Sequence, residues 1–147
     1  MNLINELLEG ARKEGACQKA RGVEDLDQLR DLYLSPEGLE FCINHNYPGH
    51  KAWKKIKEHW GKAELGKRNI FIDDPVPVLQ VNPGTIILVG KKTEAFITAT
   101  GADEIQRIIA LHGAKAKLGA KDYAVVDLIF DKDSRIEYEL DKTSILL

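Results

Sequence analysis

The stretch Gly113-Ala-Lys-Ala-Lys-Leu-Gly-Ala-Lys-Asp-Tyr-Ala-Val-Val126 decides the fold that we predict for this chain. Within it, Ala114–Leu118 alternates strictly between apolar and charged side chains, which is the period of a strand with one buried face. Small apolar residues suit the narrow interior of a coil. We therefore expect a β-solenoid, in which each strand pairs with its counterpart one coil later. The expected interior positions are Ala114, Ala116, Ala124 and Val126.

A repeated pattern of short apolar runs and turns continues through the chain after Asn69. Short runs rich in β-branched residues recur about every ten residues, and turn signals such as Asn82-Pro83-Gly84 separate them. A β-sandwich with hairpin loops would also suit this spacing, and residues 103–110 would alternatively suit a short helix. The runs are Ile70–Ile72, Val76–Val81, Ile86–Val89, Ala95–Thr98, Ile105–Leu111, Ala114–Leu118, Ala124–Phe130, Ile136–Leu140 and Ser144–Leu147.

The sequence before this repeated pattern predicts about four short amphipathic helices. Ser35 followed by Pro36 is typical of a helix start, because serine caps and proline suits the first helical position. Tyr47-Pro48-Gly49 marks a break before the next helix. The fold class predicted is α+β: N-terminal short helices in residues 1–66, followed by a repetitive all-β module in residues 67–147. That module is β-solenoid-like, with a β-sandwich as the alternative.

Composition favours an ordinary soluble domain. The chain has 147 residues, of which 44% are hydrophobic and 30% charged, and its net charge is −2. Such a balance gives no general attraction to nucleic acid or to an anionic membrane. Two cysteines, Cys17 and Cys42, are too few for a disulfide framework. No apolar run is long enough for a signal peptide or a membrane span, so we expect a soluble cytoplasmic protein without a membrane partner.

Residues 34–48, Leu-Ser-Pro-Glu-Gly-Leu-Glu-Phe-Cys-Ile-Asn-His-Asn-Tyr-Pro, followed by the Gly-Ala-Lys and Asp-Tyr-Ala-Val-Val repeats, resemble a known group of sequences. The group consists of uncharacterised proteins from gut bacteria and their phages or mobile elements. The resemblance covers most of the chain and implies a helical N-terminus with a β-solenoid-like C-terminus. It brings no catalytic residues with it, so it bears on the fold and adds almost nothing about function.

The predicted helix from about His50 to Trp60 holds the candidate binding residues. Trp53, Ile56 and Trp60 lie on one apolar stripe, and the two tryptophans offer apolar area for docking. Lys54 and Lys55 lie away from that stripe, together with Lys51 and Lys57. A lysine face of this kind would contact phosphates in a nucleic-acid-binding protein. A solvated outer face is the more ordinary interpretation, because the chain lacks a basic excess.

Four residues form the candidate metal site. They are Cys42, His45, His50 and His59, and four such ligands would complete one tetrahedral zinc. Their spacing matches no standard zinc motif, and Cys42 equally suits a buried position on its helix. We therefore expect no cofactor, and keep a zinc-stabilised adaptor or small metalloenzyme as an alternative.

No sequence motif of a nucleophile elbow, a zinc protease or a dinucleotide-binding loop occurs in the chain. We therefore expect a non-enzymatic protein with a structural, protein-binding or accessory role. The apolar residues Ser144–Leu147 favour a partner, because uncovered strand edges invite pairing. That partner would be a second copy of the chain or another protein, unless the helical module covers the coil.

Overall fold

The computed structural model describes residues 3–13, 25–76, 79–80, 84–101 and 105–147. The chain divides into two compact units, Met1–His59 and Trp60–Leu147. In the described ranges, no helix is both long and apolar enough to cross a membrane. The helices are α1 (Leu3–Lys13), α2 (Leu26–Leu34), α3 (Pro36–His45), α4 (His50–Trp60) and α5 (Lys62–Lys67). The strands are β1 (Ile70–Ile72), β2 (Leu79–Gln80), β3 (Thr85–Val89), β4 (Glu94–Thr100), β5 (Gln106–Leu111), β6 (Lys115–Lys121), β7 (Val125–Phe130), β8 (Arg135–Leu140) and β9 (Ile145–Leu146).

Short polar side chains set the helix boundaries of the first unit. Asp25 caps α2 by accepting a hydrogen bond from the Gln28 N–H at 2.8 Å. Ser35 caps α3 by accepting from the Gly38 N–H at 3.0 Å, and Pro36 is the first helical residue. The helix start predicted at these residues is therefore confirmed.

A long-range hydrogen bond joins the break after α3 to the first helix. The Tyr47 hydroxyl donates to the Leu7 carbonyl oxygen at 2.6 Å. The apolar stripe of α1 is buried, and its members are Ile4, Leu7, Leu8 and Ala11. A side-chain hydrogen bond thus joins the first helix to the loop that carries Pro48.

The second unit is a β-solenoid made of two parallel sheets. Their strand orders are β1-β3-β5-β7-β9 and β2-β4-β6-β8, so consecutive strands alternate between the sheets. Each strand pairs in parallel with the strand two further along, as where Lys115 lies opposite Arg135, twenty residues later. The predicted solenoid is confirmed. The β-sandwich alternative is wrong because hairpins would give antiparallel pairs, and the helical alternative is wrong because Gln106–Leu111 is a strand.

Small residues fill the interior between the two sheets. β6 alternates exposed and buried positions along its whole length, with Ala116, Leu118 and Ala120 inside. Small residues stack on small residues in successive coils, since Ala95 lies opposite Ala116 and Ala99 lies opposite Ala120. The predicted interior residues are all buried, which confirms them; they are Ala114, Ala116, Ala124 and Val126.

The helix α5 was not predicted from the sequence. It lies at the start of the second unit and contacts β1, the first strand of the five-stranded sheet. Its Leu65 is buried, while Glu64 on its exposed side pairs with Lys67 and Arg68 at 3.0 and 3.2 Å. This short helix therefore covers the first strand of the solenoid, as capping elements of repeat folds do.

Two aspartates tie the corners of successive coils together. One Asp131 oxygen accepts from the His112 N–H of the preceding coil at 2.8 Å, and the other accepts from the Ser134 hydroxyl at 2.7 Å. Asp141 repeats the arrangement, accepting from the Asp122 N–H at 3.0 Å and from the Thr143 hydroxyl at 2.7 Å. Each carboxylate thus closes its own turn and binds the turn one coil earlier.

The hydrogen bonds at the second corner stabilise the ionised carboxylate. The Thr143 hydroxyl, followed by the backbone N–H groups of Asp122 and Thr143, holds the pKa of Asp141 well below its ordinary value. Because the pKa is lowered in the folded state, this contribution is present above the ordinary aspartate pKa and is lost as the pH falls.

We expect Ala116→Leu to lower the free energy of unfolding by about 1–3 kcal/mol, because a narrow, close-packed interior cannot accept three more carbons without displacing its neighbours. Lys115→Leu adds an apolar side chain to the exposed face one residue earlier and is the matched control. Urea unfolding of both variants measures the difference. Equal loss in the two variants would contradict a narrow interior.

We expect Asp141→Asn to lower the urea midpoint at pH 7, because a neutral amide accepts hydrogen bonds more weakly than a carboxylate. The gap between this variant and the natural chain should shrink as the pH falls below about 4, where the aspartate begins to be protonated in the unfolded chain. Urea midpoints at pH 7, 4 and 2.5 measure it. Asp133→Asn is the control, since in the described ranges the Asp133 carboxylate makes no hydrogen bond, and a constant gap would refute the assignment.

Candidate functional site

The candidate binding residues of α4 divide into buried rings and exposed lysines. Trp53 is only 3% exposed and Ile56 only 1%, so neither side chain is available to a partner. Trp60 is half-buried. Lys54 and Lys55 are exposed, and the Lys55 ammonium lies 4.0 Å from a Glu6 carboxylate oxygen. The apolar stripe therefore has a packing role, and a neighbouring acid offsets part of the lysine charge.

The candidate zinc ligands are not brought together. No three His, Cys, Asp or Glu side chains lie where they could hold one metal ion, among the residues that the structure describes. Cys42 is buried, and this desolvation raises the pKa of its thiol to about 12, whereas zinc binds the thiolate. The His45 ring stacks on Phe41 with 4.3 Å between centroids. His50 and His59 lie at opposite ends of α4, and Cys17 lies outside the described residues.

The two sheets of the solenoid present different outer faces. In the five-stranded sheet, outward positions such as Ile87 and Ile109 are buried, at 3% and 1% exposure. In the four-stranded sheet, the outward residues of β4, β6 and β8 are largely exposed and polar. The outer face of this second sheet is therefore the larger accessible surface of the described solenoid.

A groove of about 450 Å³ lies on that exposed face. Its walls and floor come from two rows of residues that lie in register across β4, β6 and β8. One row holds an aromatic ring, a lysine and a glutamate, and the other holds a threonine, a glycine and a glutamate. We call it the Gly119 groove; its outward-facing lining is Phe96, Lys117, Glu137, Thr98, Gly119 and Glu139.

The groove combines an apolar ring with charges of both signs. Phe96 is 43% exposed, and the Lys117 ammonium lies 5.8 Å from the centre of its ring, within the range of a cation–π contact. Arg135 pairs with Glu137 at 2.8 Å. Glu139 has no ion-pair partner in the described ranges, so one carboxylate in the groove remains unneutralised.

Gly119 leaves the middle of the groove open, although the packing around it does not require a glycine. A Cβ atom added there would meet no atom within 4 Å, and the backbone is not left-handed. Gly101 is different, because a Cβ there would collide with the Asp122 carbonyl oxygen. A glycine inside a strand costs stability, and where packing does not require it, it often marks a place where another molecule approaches closely.

Sequence reasoning missed this groove, although its signal was present. The outward positions of β6 read Lys115, Lys117, Gly119 and Lys121, so glycine interrupts a row of lysines. The alternation identified the strand but not the missing side chain as a feature. Recognising the groove also needed the register that puts Phe96 beside Lys117 and Thr98 beside Gly119.

Comparisons of the chain with protein-family models, with curated proteins and with solved structures gave no match. The candidate site therefore rests on the geometry of the groove itself.

We expect Gly119→Ala to raise the free energy of unfolding by about 0.5–1 kcal/mol, because alanine restricts the unfolded chain and finds open space in the folded one. Gly101→Ala should instead lower it, since the new methyl group meets a backbone oxygen. Urea unfolding of the two variants measures both effects. A loss of stability in Gly119→Ala would show that the glycine is required by the fold.

Proposed function

We propose that this protein is a non-enzymatic binding protein that holds a segment of a partner protein in the Gly119 groove. The observation that carries the proposal is the open glycine in the middle of an exposed strand, where the fold itself would be more stable with a side chain. A stability cost without a packing cause is typical of residues kept for function.

The groove suits an extended peptide better than a small polar ligand. It is open to solvent along an exposed sheet face, and strand repeats in solenoids create extended binding surfaces of this kind. The half-exposed ring of Phe96 offers apolar area to one side chain of a partner. Backbone can approach closely over Gly119, where no side chain intervenes.

Charge selects the partner's chemistry. Glu139 is unneutralised and lies in the row beside Glu137, so a basic side chain would gain a charge-assisted contact there. Lys117 lies beside Phe96 and would disfavour a second basic group at that end. The partner segment therefore carries an apolar residue for Phe96 and a lysine or arginine for the Glu139 end.

A random peptide library displayed against the protein tests this proposal. We expect the enriched peptides to share an apolar residue and a basic residue, and to lose at least tenfold in affinity against Gly119→Gln, which fills the groove without adding charge. Lys121→Gln is the matched control, because Lys121 lies on the same strand outside the groove lining. Titration by isothermal calorimetry gives the affinities.

Equal binding to Gly119→Gln and to the natural chain would contradict the proposal, as would the absence of any enriched peptide. The nucleic-acid alternative has a separate outcome. Binding of a DNA duplex that weakens steeply with salt and is lost in Lys54→Glu/Lys55→Glu would favour α4 as the functional surface instead.

The biological process stays a prediction from the resemblance described above. An accessory role in a phage or mobile element is compatible with a binding protein that uses one groove and no catalytic group. Location in the cytoplasm likewise stays a prediction.

A further inference from the structure

Among the described residues, the strand β8 has a free edge. It is the outermost strand of its sheet and pairs only with β6 in the described part of the chain. The Arg135 N–H donates to Ala114 and the Asp141 N–H to Ala120, so odd-numbered residues direct their backbone groups towards β6. Because backbone groups alternate sides along a strand, Ile136, Tyr138 and Leu140 direct theirs away from the sheet. Three donors and three acceptors therefore line the free edge.

The interior is also incompletely covered beside this edge. Tyr138 is in register with Leu118, which is in register with Ile97, and all three occupy inward positions. Leu118 and Ile97 are each 3% exposed, whereas Tyr138 is 48% exposed. An additional strand on β8 would cover Tyr138 in the way that β8 covers Leu118.

We infer that β8 pairs in antiparallel fashion with β8 of a second copy of this chain, with Glu137 of both copies at the two-fold axis. Residues that face each other across an antiparallel pair lie on the same side of the sheet. This register therefore puts Ile136 opposite Tyr138 of the second copy on the inner side, and Arg135 opposite Glu139 of the second copy on the outer side.

The charges of β8 favour this register over the neighbouring ones. It forms two Arg135–Glu139 pairs for a single Glu137–Glu137 contact. Centring the pair on Tyr138 would instead place Glu137 opposite Glu139 twice, which is destabilising. Centring it on Ile136 would place Arg135 opposite Glu137 twice, but it would also place the turn residue Asp133 opposite Glu139 twice and would leave only residues 135–137 of each strand paired. The outward charges of β8 are thus complementary to those of a second β8 in the register centred on Glu137, which also pairs more of the strand than centring on Ile136 does.

This pairing changes which carboxylate of the groove is neutralised. In the single chain Arg135 neutralises Glu137 and leaves Glu139 unneutralised. In the pair Arg135 neutralises Glu139 of the second copy, which leaves Glu137 unneutralised in the same groove. The inference is argued from the edge, the register and the charges of β8 and not from peptide binding, so its tests can fail or succeed separately from the peptide library.

Disulfide trapping tests the register directly. Residues at a non-hydrogen-bonded antiparallel position have Cα atoms about 4.5 Å apart, which a disulfide can span. In a Cys17→Ser/Cys42→Ala background, we expect Glu137→Cys to form a covalent dimer under mild oxidation. Glu139→Cys should not, because in this register its counterpart lies about 13 Å away, four residues along the strand. Non-reducing electrophoresis of the full chain measures the fraction linked.

Charge exchange tests the same pairing without new cysteines. Sedimentation velocity of the full 147-residue chain should give twice the 16.5 kDa chain mass. Arg135→Glu and Glu139→Arg should each weaken the dimer at least tenfold, and Arg135→Glu/Glu139→Arg together should restore it. Glu94→Arg, on the interior strand β4, makes the same charge change away from the edge and should leave the mass unchanged.

A chain that stays monomeric at every concentration up to about 1 mM would overturn the inference. At that concentration, a dimer escapes detection only if its free energy of association is weaker than about −4 kcal/mol. A dimer that survives Glu139→Arg, or equal cross-linking at positions 137 and 139, would also overturn the inference, since both would place the contact elsewhere. Circular dichroism of each variant confirms that it is folded, so that loss of the dimer is not loss of the fold.

Discussion

Parallel pairing between residues about twenty positions apart is the constraint on which the β-unit depends. It places each side chain directly above its counterpart in the preceding coil, as with Lys115 and Arg135. An inward position must therefore be compatible with the residues above and below it, and the distance between the two sheets limits their volume. Stacks such as Ala95 on Ala116 and Ala99 on Ala120 follow from this limit. The apolar contacts of the interior then accumulate coil by coil rather than around one centre.

The corners solve a different problem, since each coil must turn sharply and still pair with its neighbours. Residues such as His112 and Asp122 turn with positive φ, 56° in each case, which directs their N–H groups along the axis of stacking. Asp131 and Asp141, each one coil later in the chain, accept hydrogen bonds from those N–H groups. Their second oxygens meanwhile close their own turns through Ser134 and Thr143. The corners thus carry specificity for stacking order, whereas the strands carry most of the buried apolar area.

Much of this fold could be predicted from the sequence, because period-two alternation and turn residues are local signals. The nine apolar runs correspond to the nine strands found among the described residues, and the Ser35-Pro36 helix start lies where the pattern predicted it. The helix α5 was missed because its six residues are too few to show a helical period, and only its contact with β1 gives it a role. The Asp131 and Asp141 bonds were missed because they join residues in different coils.

The groove and the free edge of β8 could not be predicted for a related reason. Each is defined by what lies beside a residue across strands, and a sequence shows only what lies before and after it. Gly119 interrupts a row of lysines in the sequence, but it becomes informative only once Thr98 and Glu139 flank it in register. The α4 residues, by contrast, were predicted as binding candidates from their residue types and spacing alone. The structure buries Trp53 and Ile56 and leaves Lys54 and Lys55 exposed.

The constant spacing of the later coils has an evolutionary consequence. Pairs between β5 and β7, β6 and β8, and β7 and β9 are all offset by twenty residues. Duplication of a twenty-residue segment in this region would lengthen the stack by one coil while every inward and outward position kept its side. Insertion of a single residue within a strand would reverse those sides from that point to the next turn. The length of such a protein can therefore grow by whole coils without exposing the buried side of any strand.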